Sequence, residues 1–153
     1  MKRLFKYSGL IVLVSALFAF FGCKTEKYVP DPYADSIRPS ITGTWKLVAM
    51  QESSAVYDVS NKITLIIPDD PPHSINGSTG INLYNGTAWI KSDEFKCGAI
   101  AVTKMTGNTE EIQNESEYLH LLQLCNKIKM DTDSSLCIYN KENGAKLEFI
   151  KLD

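Results

Sequence analysis

Few residues in this sequence have the types and spacing that chemistry requires. The chain contains two histidines, and His73 closely follows Asp69 and Asp70, a grouping that could in principle hold a metal ion. Known metal loops repeat their ligands at fixed intervals, which this segment does not, so we predict a solvated turn. His120 lies in a helical pattern, where a surface position is expected, and Ser74 beside His73 does not make a catalytic triad by adjacency alone. We therefore predict no metal site, no cofactor and no enzymatic activity.

Cys23 is the residue best placed to be modified. It directly follows Gly22 at the end of an uncharged apolar segment, residues 9–21, and a basic segment precedes that. A charged start, a short apolar stretch and a small residue at its end are typical of a cleavable export signal. The apolar stretch has thirteen residues, whereas a membrane-spanning helix needs roughly 20. We therefore predict that residues 1–22 form a signal peptide.

The sequence around Cys23 resembles the signal of bacterial lipoproteins, in which the residue after the cleavage site is a cysteine that becomes acylated. The usual leucine three positions before that cysteine is replaced by Phe20. An ordinary secretory signal with a chance cysteine is the alternative. The resemblance implies cleavage between Gly22 and Cys23, acylation of Cys23 with a palmitate-type chain, and anchoring in a lipid bilayer of the bacterial cell envelope. We expect the outer membrane, with the domain facing the periplasm or the cell surface.

Residues 23–40 are predicted to form a tether, because they lack apolar periodicity and contain three prolines. These are Pro30, Pro32 and Pro39. Without residues 1–22 the chain has 13 Lys and Arg against 18 Asp and Glu, a formal net charge near −5. This acidic balance argues against nucleic acid as a partner, and the sequence has no basic cluster that would hold the domain to anionic lipid. Residues 41–153 suit one domain with one core.

Most of the segment 41–153 has the alternating or β-branched pattern of strands. The predicted strands are 44–48, 62–67, 73–78, 81–84, 87–90, 136–139 and 146–151, with one or two more within 95–104. The dipeptide Asn85-Gly86 predicts a type I′ hairpin, because both central residues of that turn need positive φ. Residues 142–144, Glu-Asn-Gly, predict a second hairpin.

One amphipathic helix is predicted from Asn114 onward. Asn114 is a suitable N-cap, and Glu117 three residues later completes a capping-box pattern. Apolar residues then recur at helical spacing: Tyr118, Leu121, Leu122, Cys125 and Ile128. An acidic run is interpreted as a solvated helix start favoured by the helix dipole: Glu110, Glu111, Glu115 and Glu117. The elements together predict an α+β fold, predominantly antiparallel β in a curved or barrel-like sheet, covered by this helix.

Three further cysteines lie in apolar strand or helix patterns: Cys97, Cys125 and Cys137. An odd number leaves at least one thiol without an intramolecular partner, and buried free thiols are favoured over a bridge between Cys125 and Cys137. Four aromatic residues could line a ligand cavity, although core packing is favoured: Trp45, Tyr84, Trp89 and Tyr139. Three glycines are assigned to turns or bulges: Gly77, Gly80 and Gly86.

Three segments, in this order, resemble the META domain family. Residues 42–47 resemble its opening strand, residues 75–86 its glycine-rich segment, and residues 101–107 its Ser-Thr-Arg-Met strand. A helix and a final Leu-x-Phe strand, here 147–149, follow in the family's order. The matching positions, interpreted as structural, are Trp45, Leu47, Gly80, Asn82, Gly86, Thr103, Lys104 and Met105.

Two departures from the family pattern affect the expected contacts. The family's two characteristic cysteines fall at Ile81 and Gly107, so a disulfide between those positions cannot form in this chain. Lys104 stands where arginine is usual, and lysine does not reproduce a bidentate arginine contact.

The resemblance implies a small bacterial domain linked to stress tolerance, drug tolerance and secretion, with no defining enzymatic activity. We expect a non-enzymatic envelope lipoprotein whose domain is an interaction module for an unidentified envelope protein in stress tolerance or assembly. The alternative is a carrier of a small molecule or lipid, with a cavity inside the β-rich domain. A filled core favours the first function, and an apolar internal cavity favours the second.

Overall fold

A computed structural model describes residues 41–57, 59, 62–69 and 73–152. The predicted signal peptide, Gly22, Cys23 and the tether lie outside these residues. The strands are β1 (Gly43–Glu52), β2 (Ala55–Tyr57), β3 (Ile63–Ile67), β4 (Ser74–Thr79), β5 (Leu83–Lys91), β6 (Glu94–Val102), β7 (Lys127–Thr132), β8 (Ser135–Asn140) and β9 (Ala145–Leu152). Helix α1 (Thr109–Leu124) lies between β6 and β7. No helix in this part of the chain is long and apolar enough to cross a membrane.

The strands form one antiparallel sheet that closes on itself. Its order is β2-β1-β3-β4-β5-β6-β7-β8-β9, and β1 also pairs with β9, so that eight strands complete a ring while β2 extends β1 as a short hairpin. Helix α1 contacts β1, β4, β6 and β9. This architecture confirms the predicted fold class. β2 and β7 were not predicted, and the separate strands predicted at 81–84 and 87–90 belong to the single strand β5.

The strand ladders that close the ring differ greatly in length between β1–β9 and β6–β7. β1 and β9 are paired from Thr44 to Gln51. β6 and β7 share only the pair Glu94↔Lys127, flanked by two backbone hydrogen bonds, from Phe95 N to Asn126 O (3.1 Å) and from Ile128 N to Asp93 O (2.9 Å). Beyond this short contact the two strands diverge, and α1 packs on β6 as well as on β1, β4 and β9.

Alternation along the strands places apolar side chains inside the ring. In β5, Tyr84, Ala88 and Ile90 are buried while Leu83 and Trp89 on the other face are exposed. The interior is filled by side chains from the sheet and from one face of α1. Its largest fully buried members include Trp45, Tyr118, Phe149, Leu47, Met50 and Leu121. Burial of each large apolar side chain contributes about 1.5–3 kcal/mol, so this core is the main source of stability.

The predicted hairpin at Asn85-Gly86 is wrong. Both residues lie within β5, where Asn85 pairs with Asn76 on one side and Ala101 on the other. A turn there would break two ladders, and the local irregularity is only a register shift between Gly86 and Ala88. The chain turns instead before β5, at Gly80, whose φ of 101° suits glycine.

The hairpin predicted at residues 142–144 is confirmed. β8 and β9 flank it, with Asn140 paired to Ala145. Gly144 has a φ of 72°, the left-handed conformation that this turn needs and that glycine adopts without steric strain.

The predicted start of the helix is also wrong. The N-cap is Asn108, whose Oδ1 accepts a hydrogen bond from Glu111 N (2.9 Å), while Asn108 N donates to Glu111 (3.1 Å). This is a complete capping box one and a half turns before Asn114, and Asn114 lies inside the helix. The helix ends before Cys125, and Ile128 belongs to β7. The apolar spacing of the helix continues through Cys125 to Ile128, so the sequence pattern did not distinguish the end of α1 from the start of β7.

Candidate functional site

Four of the eight family-motif positions meet where β4 turns into β5: Gly80, Asn82, Thr103 and Met105. The turn is closed by a backbone hydrogen bond from Thr79 N to Asn82 O (2.8 Å) and by one from Asn82 N to Thr79 Oγ1 (3.0 Å). Gly80 occupies its left-handed position. The Asn82 side chain therefore points inward from a fixed backbone, and the residue is only 4% exposed.

The Asn82 side chain joins three other segments of the chain. Its Oδ1 accepts hydrogen bonds from Thr103 Oγ1 (2.9 Å) and Met105 N (2.7 Å). Its Nδ2 donates to both carboxylate oxygens of Glu115 on α1, at 3.1 and 3.0 Å. An asparagine amide has two donors and two acceptor lone pairs, so all of its hydrogen-bonding capacity points into the protein.

Glu115 corrects the interpretation of the acidic run as a solvated surface. Its carboxylate also accepts a hydrogen bond from the Thr79 hydroxyl, because this side of α1 lies over the β4–β5 turn. Glu111 forms the capping box and lies 3.7 Å from Lys62 Nζ. Glu117 accepts a hydrogen bond from Tyr57, which raises the pKa of that tyrosine. We call Thr79, Asn82, Thr103 and Glu115 the Asn82 cluster.

The other family-motif positions are dispersed. Trp45 and Leu47 are core residues of β1, and Trp45 Nε1 donates to Ile41 O (2.8 Å). Gly86 lies at the irregularity in β5. Lys104 is exposed between β6 and α1. Met105 joins the Asn82 cluster through its backbone alone.

An apolar surface lies beside the Asn82 cluster. Leu83 and Met105 are 65% and 67% exposed, and Leu83 is held to Thr103 by hydrogen bonds from Leu83 N to Thr103 Oγ1 and from Thr103 N to Leu83 O, both 3.0 Å. Ala101 and Val102 line a shallow depression of about 290 Å³ with Leu83. We call Leu83, Ala101, Val102 and Met105 the Leu83 rim.

The two positions where the family carries cysteines are in contact. A Cβ atom built on Gly107 would lie 2.8 Å from Ile81 Cγ2 and 3.1 Å from Ile81 Cδ1. The isoleucine side chain therefore fills the space that a second side chain at Gly107 would enter. The β4–β5 turn and the start of α1 therefore touch at the Ile81 side chain and the Gly107 backbone.

The three described cysteines are free. Cys125 Sγ contacts Ile138 O at 3.5 Å, whereas the preceding residue, Cys137, is buried but absent from the core cluster. Successive residues of a strand face opposite sides of the sheet, so the two thiols lie on different sides of β8. Burial raises the pKa of Cys97 to about 11 and that of Cys125 to about 12, which keeps both thiols protonated.

The aromatic residues divide between the core and the outer face. Trp45 and Tyr84 are buried, as predicted, and the Tyr84 hydroxyl lies 2.7 Å from that of Tyr118. Desolvation by burial raises the pKa of Tyr84. Trp89 is partly exposed on the outer face, and Tyr139 lines a second surface depression, of about 480 Å³. Neither belongs to the core, which corrects the prediction for these two.

Among the described residues, which do not include Asp70, neither histidine is grouped with enough other ligands to hold a metal ion. His73 adopts a φ of 66°, and its carbonyl accepts a hydrogen bond from Ala88 N (3.0 Å). His120 is exposed, with Nε2 3.8 Å from Glu52 Oε1. Among residues 41–57, 59, 62–69 and 73–152, no three His, Cys, Asp or Glu side chains are grouped so that they could hold a metal ion.

These features define a small antiparallel β-barrel with one helix packed on it and a partly buried polar cluster around the motif residue Asn82. The chain matches the sequence model of the family described as META domain over residues 39–153. It therefore belongs to the META domain family, and the resemblance noted from the sequence is confirmed.

Solved structures share this fold. The chain is similar to a protein from Burkholderia xenovorans solved by NMR, with a TM-score of 0.63 and 23% identity over 83% of this chain and 94% of that one. It is also similar to a DUF4847 family protein from Bacteroides vulgatus, with a TM-score of 0.53 and 13% identity over 73% of this chain and 95% of that one. At these identities the similarity shows the fold alone. No curated protein gives a significant match.

Proposed function

We propose that this protein is a lipid-anchored META-domain lipoprotein of the bacterial cell envelope, and that it acts as a non-enzymatic interaction module in stress tolerance or assembly. Family membership supports the domain assignment. The position of Cys23 after Gly22 and the proline-containing tether support the anchor.

One observation carries the choice of an interaction module. At the family-motif positions the polar groups of Asn82 are used in hydrogen bonds within the protein. The adjoining outer surface is apolar, with Leu83 and Met105 about two-thirds exposed. Such an exposed apolar patch suits contact with another protein, while a polar group already bonded inside the fold is poorly placed to activate a substrate.

The packing of the barrel interior supports this proposal over a carrier. Large side chains such as Trp45, Tyr118 and Phe149 fill the space inside the ring. The depressions beside Leu83 and Tyr139 are open and lined largely by surface residues. A ligand carrier usually encloses most of its ligand in a concave apolar pocket.

Site-specific photo-crosslinking in intact cells tests the Leu83 rim. A photoreactive residue at Met105 should capture a discrete envelope protein, and Leu83→Asp should abolish that adduct without lowering the melting temperature. The same photoreactive residue at Val56, which is 73% exposed in β2, is the matched control and should give no such adduct. Identical adducts at both positions, or an adduct insensitive to Leu83→Asp, would contradict the proposal.

Metabolic labelling tests the anchor separately. Cells given a tagged palmitate should label the wild-type protein, and Cys23→Ser should remove the label and either release the protein from membranes or leave its signal uncleaved. An unlabelled wild-type protein that fractionates without membranes would contradict lipidation while leaving the interaction surface open to its own test.

A further inference from the structure

The outer face of β7, β8 and β9 carries a basic groove that the linear sequence conceals. Tyr139 pairs directly with Lys146 of β9, and Lys129 of β7 pairs with Cys137, two residues before Tyr139. Lys141 follows in the β8–β9 turn. These lysines and Tyr139 line the depression of about 480 Å³, together with Cys137, Asn140, Gly144 and Ala145. We call it the lysine groove.

Two of the ammonium groups lie on the same aromatic ring. Lys129 Nζ is 5.9 Å and Lys141 Nζ is 6.0 Å from the centroid of the Tyr139 ring. Cation–π contact at this distance holds each charge near the ring. Tyr139 therefore positions two cations from different strands or turns beside the third, Lys146.

Within the described part of the chain, the residues that line the groove include no carboxylate, although Glu148 is the cross-strand neighbour of the lining residue Cys137. Lys129 and Lys146 have ion-pair partners next to it, Asp131 (2.6 Å from Lys129 Nζ) and Glu148, whereas Lys141 forms no ion pair within the described part of the chain. Both ion pairs are partly exposed, and exposed pairs contribute about 0–1 kcal/mol. They can yield to a ligand with more than one negative charge.

The lysines also act on one another. Hydrogen bonding to Glu148 raises the pKa of Lys146, and the Lys129 ammonium opposes that rise. Both ammonium groups likewise oppose the rise in pKa that burial gives the Cys137 thiol beneath them. Repulsion between the Lys129 and Lys146 ammonium groups is smaller than the attraction of each to its carboxylate, and an anion with two negative charges would add to that attraction.

We propose that the lysine groove binds a phosphate-type dianion, such as the phosphomonoester of a small molecule or of a lipid headgroup. Three ammonium groups offer the charge and the rotatable N–H donors that a tetrahedral oxyanion accepts. The groove has room for an organic group beside the phosphate. This inference is independent of the Leu83 rim and goes beyond the interaction module proposed above.

Calorimetric titration of the purified full-length lipidated protein in a non-ionic detergent tests this site with inorganic phosphate as the probe, at constant ionic strength. Wild-type protein should show saturable one-site binding, and NMR shifts should concentrate on Tyr139 and Gly144. Lys141→Ala should weaken binding about tenfold, the loss expected for one charged hydrogen bond, and Lys141→Arg should retain most of it. The combined Ala substitution at Lys129, Lys141 and Lys146 should abolish it.

Lys91→Ala is the matched control, because Lys91 Nζ lies 6.0 Å from the Trp89 ring centroid on another part of the barrel. It removes the same charge and the same type of contact, and should leave phosphate affinity within twofold. Unsaturable binding, or equal losses for Lys91→Ala and Lys141→Ala, would overturn the proposal. Melting temperatures establish that each variant is folded.

A second pair of probes separates the two sources of the anion. Glycerol 3-phosphate and a short-chain phosphatidic acid below its micelle concentration carry the same phosphomonoester. Tighter binding of the phosphatidic acid, lost in Lys141→Ala, would assign a lipid headgroup, and equal binding would assign a free phosphate ester. Failure of both to compete with inorganic phosphate would contradict a phosphomonoester site.

Discussion

Seven residue pairs join β1 to β9, from Thr44↔Leu152 to Gln51↔Lys146, whereas the single pair Glu94↔Lys127 joins β6 to β7. The first closure is a strand ladder whose hydrogen bonds are regular apart from one shift near Val48. The second combines a short ladder with α1, whose position is fixed by Glu115 binding to Asn82 and Thr79. The barrel thus has a long ladder between β1 and β9, and a single pair between β6 and β7 beside a polar-anchored helix that packs on β1, β4, β6 and β9. We call the β6–β7 region with α1 the helical closure.

The comparison indicates which of the two closures depends on particular side chains for its stability. A ladder closure tolerates most surface substitutions, because its hydrogen bonds come from the backbone. The helical closure depends on a few residues: the buried face of α1, the Asn82 cluster, the Ile81–Gly107 contact and the cap at Asn108. Changes at these residues should therefore lower stability more than comparable changes along β1 and β9.

The largest effect is expected for Leu122→Asp. Leu122 is fully buried on the core side of α1, and an unpaired charge there should cost about 4 kcal/mol or more, a large share of a typical total of roughly 5–15 kcal/mol. Chemical denaturation measures the loss. Ile112→Asp, on the exposed side of the same helix, is the control and should change stability little. Equal stability of the two variants would mean that α1 does not seal the barrel.

A covalent link should strengthen the helical closure by the next largest amount. The double substitution Ile81→Cys and Gly107→Cys should form a disulfide, because the two side-chain positions are in contact. It would close a loop of about 25 residues and raise stability by about 3 kcal/mol in the chain-entropy model. Gly107→Cys alone should destabilise, because its Cβ would meet Ile81.

Reduction provides the internal comparison for that disulfide. Reductant should lower the melting temperature of the double variant and leave that of wild type unchanged, because the described wild-type cysteines are free. A wild-type melting temperature that falls on reduction would show a bridge that the structure does not contain.

Asn82→Ala should destabilise by about 2 kcal/mol, because it removes a donor to the Glu115 carboxylate and the acceptor of the Thr103 hydroxyl and Met105 N. Asn85→Ala, in the exposed part of the next strand, should have little effect. Hydrogen exchange locates the damage: protection should fall first in α1 and β6, and only later in β1 and β9. A uniform loss across both closures would show that the cluster does not act locally.

Asn108→Ala should lower stability by about 1 kcal/mol through loss of the N-cap, whereas Asn114→Ala should have a smaller effect, since Asn114 lies within the helix. Thermal unfolding of the two variants distinguishes the capping box in the structure from the one suggested by the sequence. A larger loss for Asn114→Ala would place the start of the helix at the later position.

The smallest expected effect is a local loss of stability around Asp93 at low pH. The hydrogen bond from Lys127 lowers the pKa of Asp93 below its ordinary 3.8. Such a group contributes stability that is complete above the unfolded-state pKa and is lost as pH falls through the lower folded-state value. Protection factors of the Phe95 and Ile128 amides should therefore fall below pH 3.8, with little change at Leu47. Asp93→Asn should remove this local pH dependence.

Much of the fold could be predicted because most strands, the helix and one turn follow from patterns within short stretches of sequence. Alternation marked most strands, the helical spacing of Tyr118, Leu121 and Leu122 marked the core face of α1, and the glycine at 144 marked the last turn. Asn85-Gly86 misled because its local turn preference was overridden by pairing with both neighbouring strands. Tertiary pairing decides between such alternatives, and a dipeptide carries no information about it.

The candidate site was only partly visible in the sequence. The motif indicated Asn82 and Thr103, but their partner Glu115 is 33 positions from Asn82 and sits in a run that looks like solvated surface. The lysine groove was hidden for the same reason, since its lysines come from two strands and a turn. Alternation along the strands places these lysines on one face of the sheet and makes it locally basic. The net negative charge of the whole chain gives no indication of such a basic surface.

The Ile81–Gly107 contact also bears on how the chain matures. A domain held at this point by a disulfide would complete its structure only after meeting an oxidant, so its folding would be timed by the compartment it reaches. Here an isoleucine methyl group fills that space. This contact therefore forms without an oxidant, so the link between the β4–β5 turn and the start of α1 does not depend on the thiol redox potential.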